Sequence, residues 1–143
     1  MKNVQVNPKF VNAAQIEAYS KILFSEAVSS NFIINELNQD YFGIDYFLTE
    51  YRDGQVIPRM CLAQLKGTAV PGKRWVQLST DIIRFWNSLP LDVYIYLVNI
   101  EDRTVDVIRS REILLNNNKT IRVYATSSVT KPENKGDFKR ILH

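Results

Sequence analysis

The feature that most limits how this chain can fold is the stretch DYFLTEYRDGQVIPRMCLAQLK, residues 45–66. Two runs rich in β-branched, aromatic and aliphatic residues flank Asp53-Gly54, a dipeptide that supplies the positive φ of a tight hairpin turn. A hairpin here fixes which side chains meet. Residues two apart in a strand share a face, so Gln64 and Lys66 project together, with Leu62 and Met60 behind them. Asp45 opens the first strand just after Gly43, and folding about the turn brings it beside Gln64 and Lys66. One carboxylate, one amide oxygen and one ammonium are thereby expected at one edge of a sheet.

The rest of the chain supplies the frame. Asn12 caps a helix over about 13–28, with Ile16, Tyr19, Leu23 and Ala27 on one stripe and Glu17, Lys21 and Glu26 off its centre. NFIINEL reads as a strand, NQDYFG as a turn that includes Asp40, and RWVQLS as a strand after the loop TAVPGK. Ser79 or Thr80 caps a helix to about Leu89, which Pro90 stops. DVYIYLVNI is the most hydrophobic run and reads as a central strand buried on both faces. Phe85, Trp86, Tyr94 and Tyr96 are expected to fill the core between helix and sheet. VDVIR is a strand, Ser110 starts a short helix, and TIRVYATS is a last strand. The order α-β-β-β-β-α-β-β-α-β predicts an α/β fold with a mixed sheet. The 143 residues form one domain, with a core over about 13–125 and a polar, basic tail over 126–143.

Composition narrows the chemistry. Cys61 is the one cysteine and His143 the one histidine, so an internal disulfide, a Ser-His-Asp triad, a Cys-His nucleophile and a zinc site are all excluded. Catalysis must run on carboxylates, lysines and hydroxyls, or on a hard metal held by oxygen. No segment has the length of a signal sequence or membrane span, which with the lone cysteine predicts a cytoplasmic protein. A net charge of +3 permits a polyanionic partner without requiring one.

The hairpin cluster suits Mg²⁺, or Mn²⁺ in its place, since such ions take one or two carboxylates and complete their shell with neutral oxygens, water and substrate phosphate. Asp45 supplies the charged ligand, Gln64 a neutral one, and the backbone carbonyl of Leu65 a third. Lys66 then orients or deprotonates the attacking water, or offsets charge growing on a phosphate. Taken singly, each residue has a plain structural explanation: lysine blunts strand edges, glutamine tolerates half-exposed strands, and aspartate is a frequent turn residue.

The residues GID at 43–45 followed by QLK at 64–66 resemble the PD-(D/E)XK nuclease superfamily, in particular a branch described as a domain of unknown function. The likeness spans roughly residues 13–100 and implies a restriction-endonuclease-like core, α-β-β-β-α-β with C-terminal additions. It gives Asp45, Gln64 and Lys66 the metal and catalytic positions, and adds a helix glutamate for which Glu17 is preferred over Glu26. The chain departs from the family by carrying Gln64 where an acid is usual, and by one extra residue before the glycine, which leaves Asp40 as a turn residue. The implied activity is Mg²⁺-dependent endonucleolytic hydrolysis of nucleic acid, DNA before RNA, in defence or mobile-element systems. The alternative is an inactive nuclease-fold module that binds nucleic acid or a protein. Lys73, Arg74, Trp75 and Arg84 are the expected contacts to nucleic acid, with Lys131, Lys135, Lys139 and Arg140 in the tail. A dimer mate or partner subunit would supply target choice.

Overall fold

The computed structural model describes residues 12–129. Its elements are α1 (Ala13–Val28), β1 (Phe32–Tyr41), β2 (Ile44–Arg52), β3 (Gln55–Thr68), β4 (Trp75–Ser79), α2 (Thr80–Asn87), β5 (Val93–Asn99), β6 (Thr104–Arg109), a 3₁₀ turn (Ser110–Glu112), β7 (Thr120–Tyr124) and β8 (Ser127–Ser128). The central sheet has the order β1-β2-β3-β5-β6-β8. Its neighbours are antiparallel except β3 and β5, so the sheet is mixed and the fold is α/β. The basic tail residues and His143 lie outside the described residues.

Alternation along β5 builds the core. Tyr96 and Val98 join Phe24, Ala27 and Val28 of α1 on one face, whereas Val93, Ile95 and Leu97 join Ile83 and Trp86 of α2 on the other. The strand is thus covered on both sides, as its unbroken apolar run requires. α1 starts at a full capping box, with the Asn12 side chain accepting from the Gln15 N–H and the Gln15 side chain accepting from the Asn12 N–H. Trp86 and Tyr96 are fully buried, while Phe85 and Tyr94 are half-buried.

Four expectations change. RWVQLS and all but the last residue of TIRVYATS stay out of the central sheet: β4 and β7 form a two-stranded sheet of their own. They turn Val76, Leu78, Ile121 and Val123 onto the α2-side core, and their alternate residues face outward. The helix expected at Ser110 is only a single 3₁₀ turn. Packing also continues past the expected end of the core, because β8 pairs with β6 and Val129 is buried.

The fourth change fixes the position of Asp45. The expected turn NQDYFG is mostly strand: β1 runs on through Asp40 to Tyr41, and only Phe42 and Gly43 turn, at φ 53° and 80°. A phenylalanine at positive φ is unfavourable in isolation. Here its ring stacks on Phe85 at 4.6 Å and its carbonyl accepts a hydrogen bond from Trp86 Nε1 at 2.9 Å. Helix α2 therefore clamps the turn from which β2 departs.

Candidate active-site cleft

The β2–β3 ladder runs from Arg52↔Gln55 at the Asp53-Gly54 turn to Tyr46↔Ala63. Two residues further along β3, the Leu65 N–H donates not to a β2 carbonyl but to Asp45 Oδ2, at 2.7 Å. On its other side β3 stays paired with β5 as far as Thr68↔Asn99. Leu62 N–H donates to the Asp92 carbonyl and Ile100 N–H donates to the Thr68 carbonyl, so the even-numbered backbone groups of this part of β3 face β5. The odd-numbered groups, including the carbonyl of Leu65, leave the strand towards the fork. Asp45 fills the place where the two strands separate.

A cleft of about 520 Å³ opens at that fork. Asp45, Leu65 and Lys66 line it from the sheet, and Glu17, Ser20 and Lys21 line it from α1. Helix and strand approach closely at one point: a Cβ on Gly67 would overlap Ser20 Oγ, so glycine is what lets α1 lie against β3 beside Lys66. Glu36 of β1 completes a charged wall. Lys21 Nζ is 2.7 Å from Glu36 Oε2 and 3.6 Å from Glu17 Oε2. The Glu36 hydrogen bond holds the Lys21 pKa above its ordinary value. Burial pushes the Tyr46 hydroxyl up to about 12, so that ring lines the cleft as a neutral phenol.

Of the residues predicted for the site, Asp45, Leu65, Lys66 and Glu17 thus share one cleft, and Glu26, which is exposed, does not line it. Gln64 behaves differently. It is buried at 7 % exposure, and its Nε2 lies 2.9 Å from where a Cβ on Gly43 would sit, close to Trp86. Its Oε1 is buried without a hydrogen-bond partner. An unsatisfied buried acceptor is costly and calls for a water or a cation.

The four residues predicted to contact nucleic acid do not line the cleft. Arg74 is bound by both Nε and Nη2 to Asp106, and Arg84 bonds to Asp81 and to the Asn116 carbonyl. Lys73 and Trp75 are half-buried and lie on a different surface, with the Lys73 ammonium over the Trp75 ring. Sequence reasoning missed Ser20, Lys21 and Glu36 as cleft residues. The i, i+3, i+4 spacing of Glu17, Ser20 and Lys21 was the available signal that they share a helix face.

Among the described residues, no three of His, Cys, Asp and Glu converge on one point as a metal-binding group. A Mg²⁺ site needs fewer: two carboxylates with neutral oxygens suffice. No helix among the described residues is long and apolar enough to cross a membrane. No protein-family model, curated protein or solved structure matches the chain.

Proposed function

We propose that this protein is a metal-dependent phosphodiesterase of the restriction-endonuclease-like fold that cleaves nucleic acid, DNA in preference to RNA, in the cytoplasm. The observation that carries the reading is the Asp45–Leu65 contact at the strand fork, opening onto a cleft shared with Lys66 and Glu17. A carboxylate and a backbone carbonyl leaving the strand on the same side are oxygens of the kind Mg²⁺ or Mn²⁺ takes, and the buried Gln64 Oε1, outside the cleft, would have to swing out from under Gly43 to join them. When bound, such an ion lowers the pKa of water and neutralises phosphate oxygens. Asp45 and Gln64 are its proposed ligands, with Glu17 contributing after leaving Lys21, and Lys66 orients the attacking water or takes its proton. A defence or mobile-element role fits this activity, with target choice supplied by a second copy or a partner subunit.

The second reading, a nuclease-fold module that binds without cutting, is favoured by one observation: the position usually held by an acid is a neutral glutamine, packed under Gly43 and Trp86. Incubating the purified chain with supercoiled and linear DNA, in Mg²⁺, Mn²⁺ or chelator, separates the two. The nuclease reading predicts metal-dependent cutting that falls at least about a hundredfold in Asp45→Asn and in Lys66→Ala. Binding without cutting under every metal would establish the module instead. Cutting undiminished in both variants would refute the cleft as its source.

A further inference from the structure

The small β4–β7 sheet has two unlike faces. Its inner face is core, and its outer face carries Trp75, Gln77 and Ser79 opposite Tyr124, Arg122 and Thr120. Arg122 Cζ lies 3.8 Å and Lys73 Nζ lies 4.2 Å from the centre of the Trp75 ring. Tyr124, directly across from Trp75, is 56 % exposed. No carboxylate belongs to this outer row, and neither Lys73 nor Arg122 ion-pairs with an acid among the described residues.

We propose that this face is a binding platform for single-stranded nucleic acid, in which bases stack on Tyr124 and on the Arg122 guanidinium that lies over Trp75, while Lys73 meets the phosphates. Basic side chains interleaved with exposed aromatics are the chemistry that holds an unpaired strand irrespective of its sequence. Charge complementarity argues for a polyanion, and the aromatic pair argues for one that carries π-faces. The platform is also held rigid. The Asn99 side-chain amide donates to the carbonyls of Val70 and Lys73, Asp102 accepts from the Gly72 N–H, and the Arg74 carbonyl accepts from the Ala125 N–H. The Arg74–Asp106 lock sits one residue before Trp75, so little ordering entropy remains to be lost on binding. Chain separation hid the site from the sequence: Arg122 and Tyr124 reach Trp75 only through the β4–β7 pairing.

This inference deepens the nuclease reading by naming an unpaired strand as ligand, yet it stands on different residues and is tested without catalysis. In chelator, oligo(dT) should quench the intrinsic fluorescence of the wild-type chain, and the quench should belong to Trp75, because the other tryptophan, Trp86, is fully buried. Arg122→Glu and Lys73→Glu, both surface changes, should each weaken binding about tenfold or more, as should Tyr124→Ala. An abasic oligonucleotide of equal length should bind at least about tenfold more weakly than oligo(dT). Asp45→Asn should bind as wild type does, so loss of cutting and loss of binding remain separate results. No quench, affinity unchanged in the glutamate variants, equal binding of the abasic strand, or equal binding of polyglutamate would overturn the proposal.

Discussion

Asp45 and Asp106 are carboxylates on strands of one sheet, and the fold treats them in opposite ways. Asp106, on β6, is 1 % exposed and both its oxygens are taken by the Arg74 guanidinium at 2.7 and 2.8 Å. Glu50, on β2, is similarly buried, with Arg52 at 2.7 Å and Arg59 at 3.2 Å. These are acids made safe for an interior by planar cations, and what they provide is fixed geometry. Asp45 is only half-buried, holds a backbone N–H, and borders a charged cleft. An arginine fork closes the Asp106 carboxylate off, whereas Asp45, at the strand fork, lines a cleft.

The sharpest way to break this contrast is to remove the fork. Arg74→Ala leaves Asp106 buried without its cation, and with Arg74 itself half-exposed the loss should be about 3 kcal/mol in urea unfolding. A loss under about 1 kcal/mol would mean Asp106 does not depend on Arg74. Asp45→Asn keeps an acceptor for the Leu65 N–H, so its unfolding midpoint should move far less than that of Arg74→Ala.

A second comparison sets the two tight turns against each other. Gly43 and Gly54 have φ of 80° and 79°, but a Cβ at Gly43 would lie 2.9 Å from Gln64 Nε2 and 3.1 Å from the Trp86 ring, while one at Gly54 meets nothing within 4 Å. Gly54→Ala should therefore cost about 1 kcal/mol, and Gly43→Ala about 2–3 kcal/mol, the difference being the displaced contact. Equal costs would show that the turn before Asp45 is not clamped by α2.

A further effect is in alkali. Burial pushes the Cys61 thiol up to about 12 from an ordinary 9.0, Tyr46 rises from 10.0 to about 12, and Lys21 is raised by Glu36. In each case the folded chain keeps a proton that the unfolded chain releases, so the stability these groups contribute is fully present below about pH 9 and falls as pH rises beyond it. Unfolding midpoints from pH 7 to 11 check the sign. At pH 8 the Cys61 thiol should react with a disulfide reagent only as fast as the chain unfolds.

Local signals carried much of this architecture. The Asn12 cap, the Asp53-Gly54 turn, the apolar run of β5 and the Ser79 cap each state their element in a few adjacent residues. Asp45, Leu65 and Lys66 were legible as neighbours because a hairpin placed them, whereas periodicity did not choose between Glu17 and Glu26 and only the family resemblance favoured the one that lines the cleft. What stayed hidden depends on partners distant in the chain. Phe42 turns at positive φ because Phe85 and Trp86 hold it, Arg74 is silent because Asp106 binds it, and Arg122 meets Trp75 across a ladder that no short window reveals. Gln64 shares strand parity with Lys66, yet lies under Gly43 rather than lining the cleft.

Binding of Mn²⁺, followed by loss of the free-ion paramagnetic resonance signal in wild type and in Asp45→Asn side by side, tests the central claim most directly. The wild-type chain should hold a single ion and Asp45→Asn none at the same concentrations. Equal binding by the two proteins, or none by either, would contradict it.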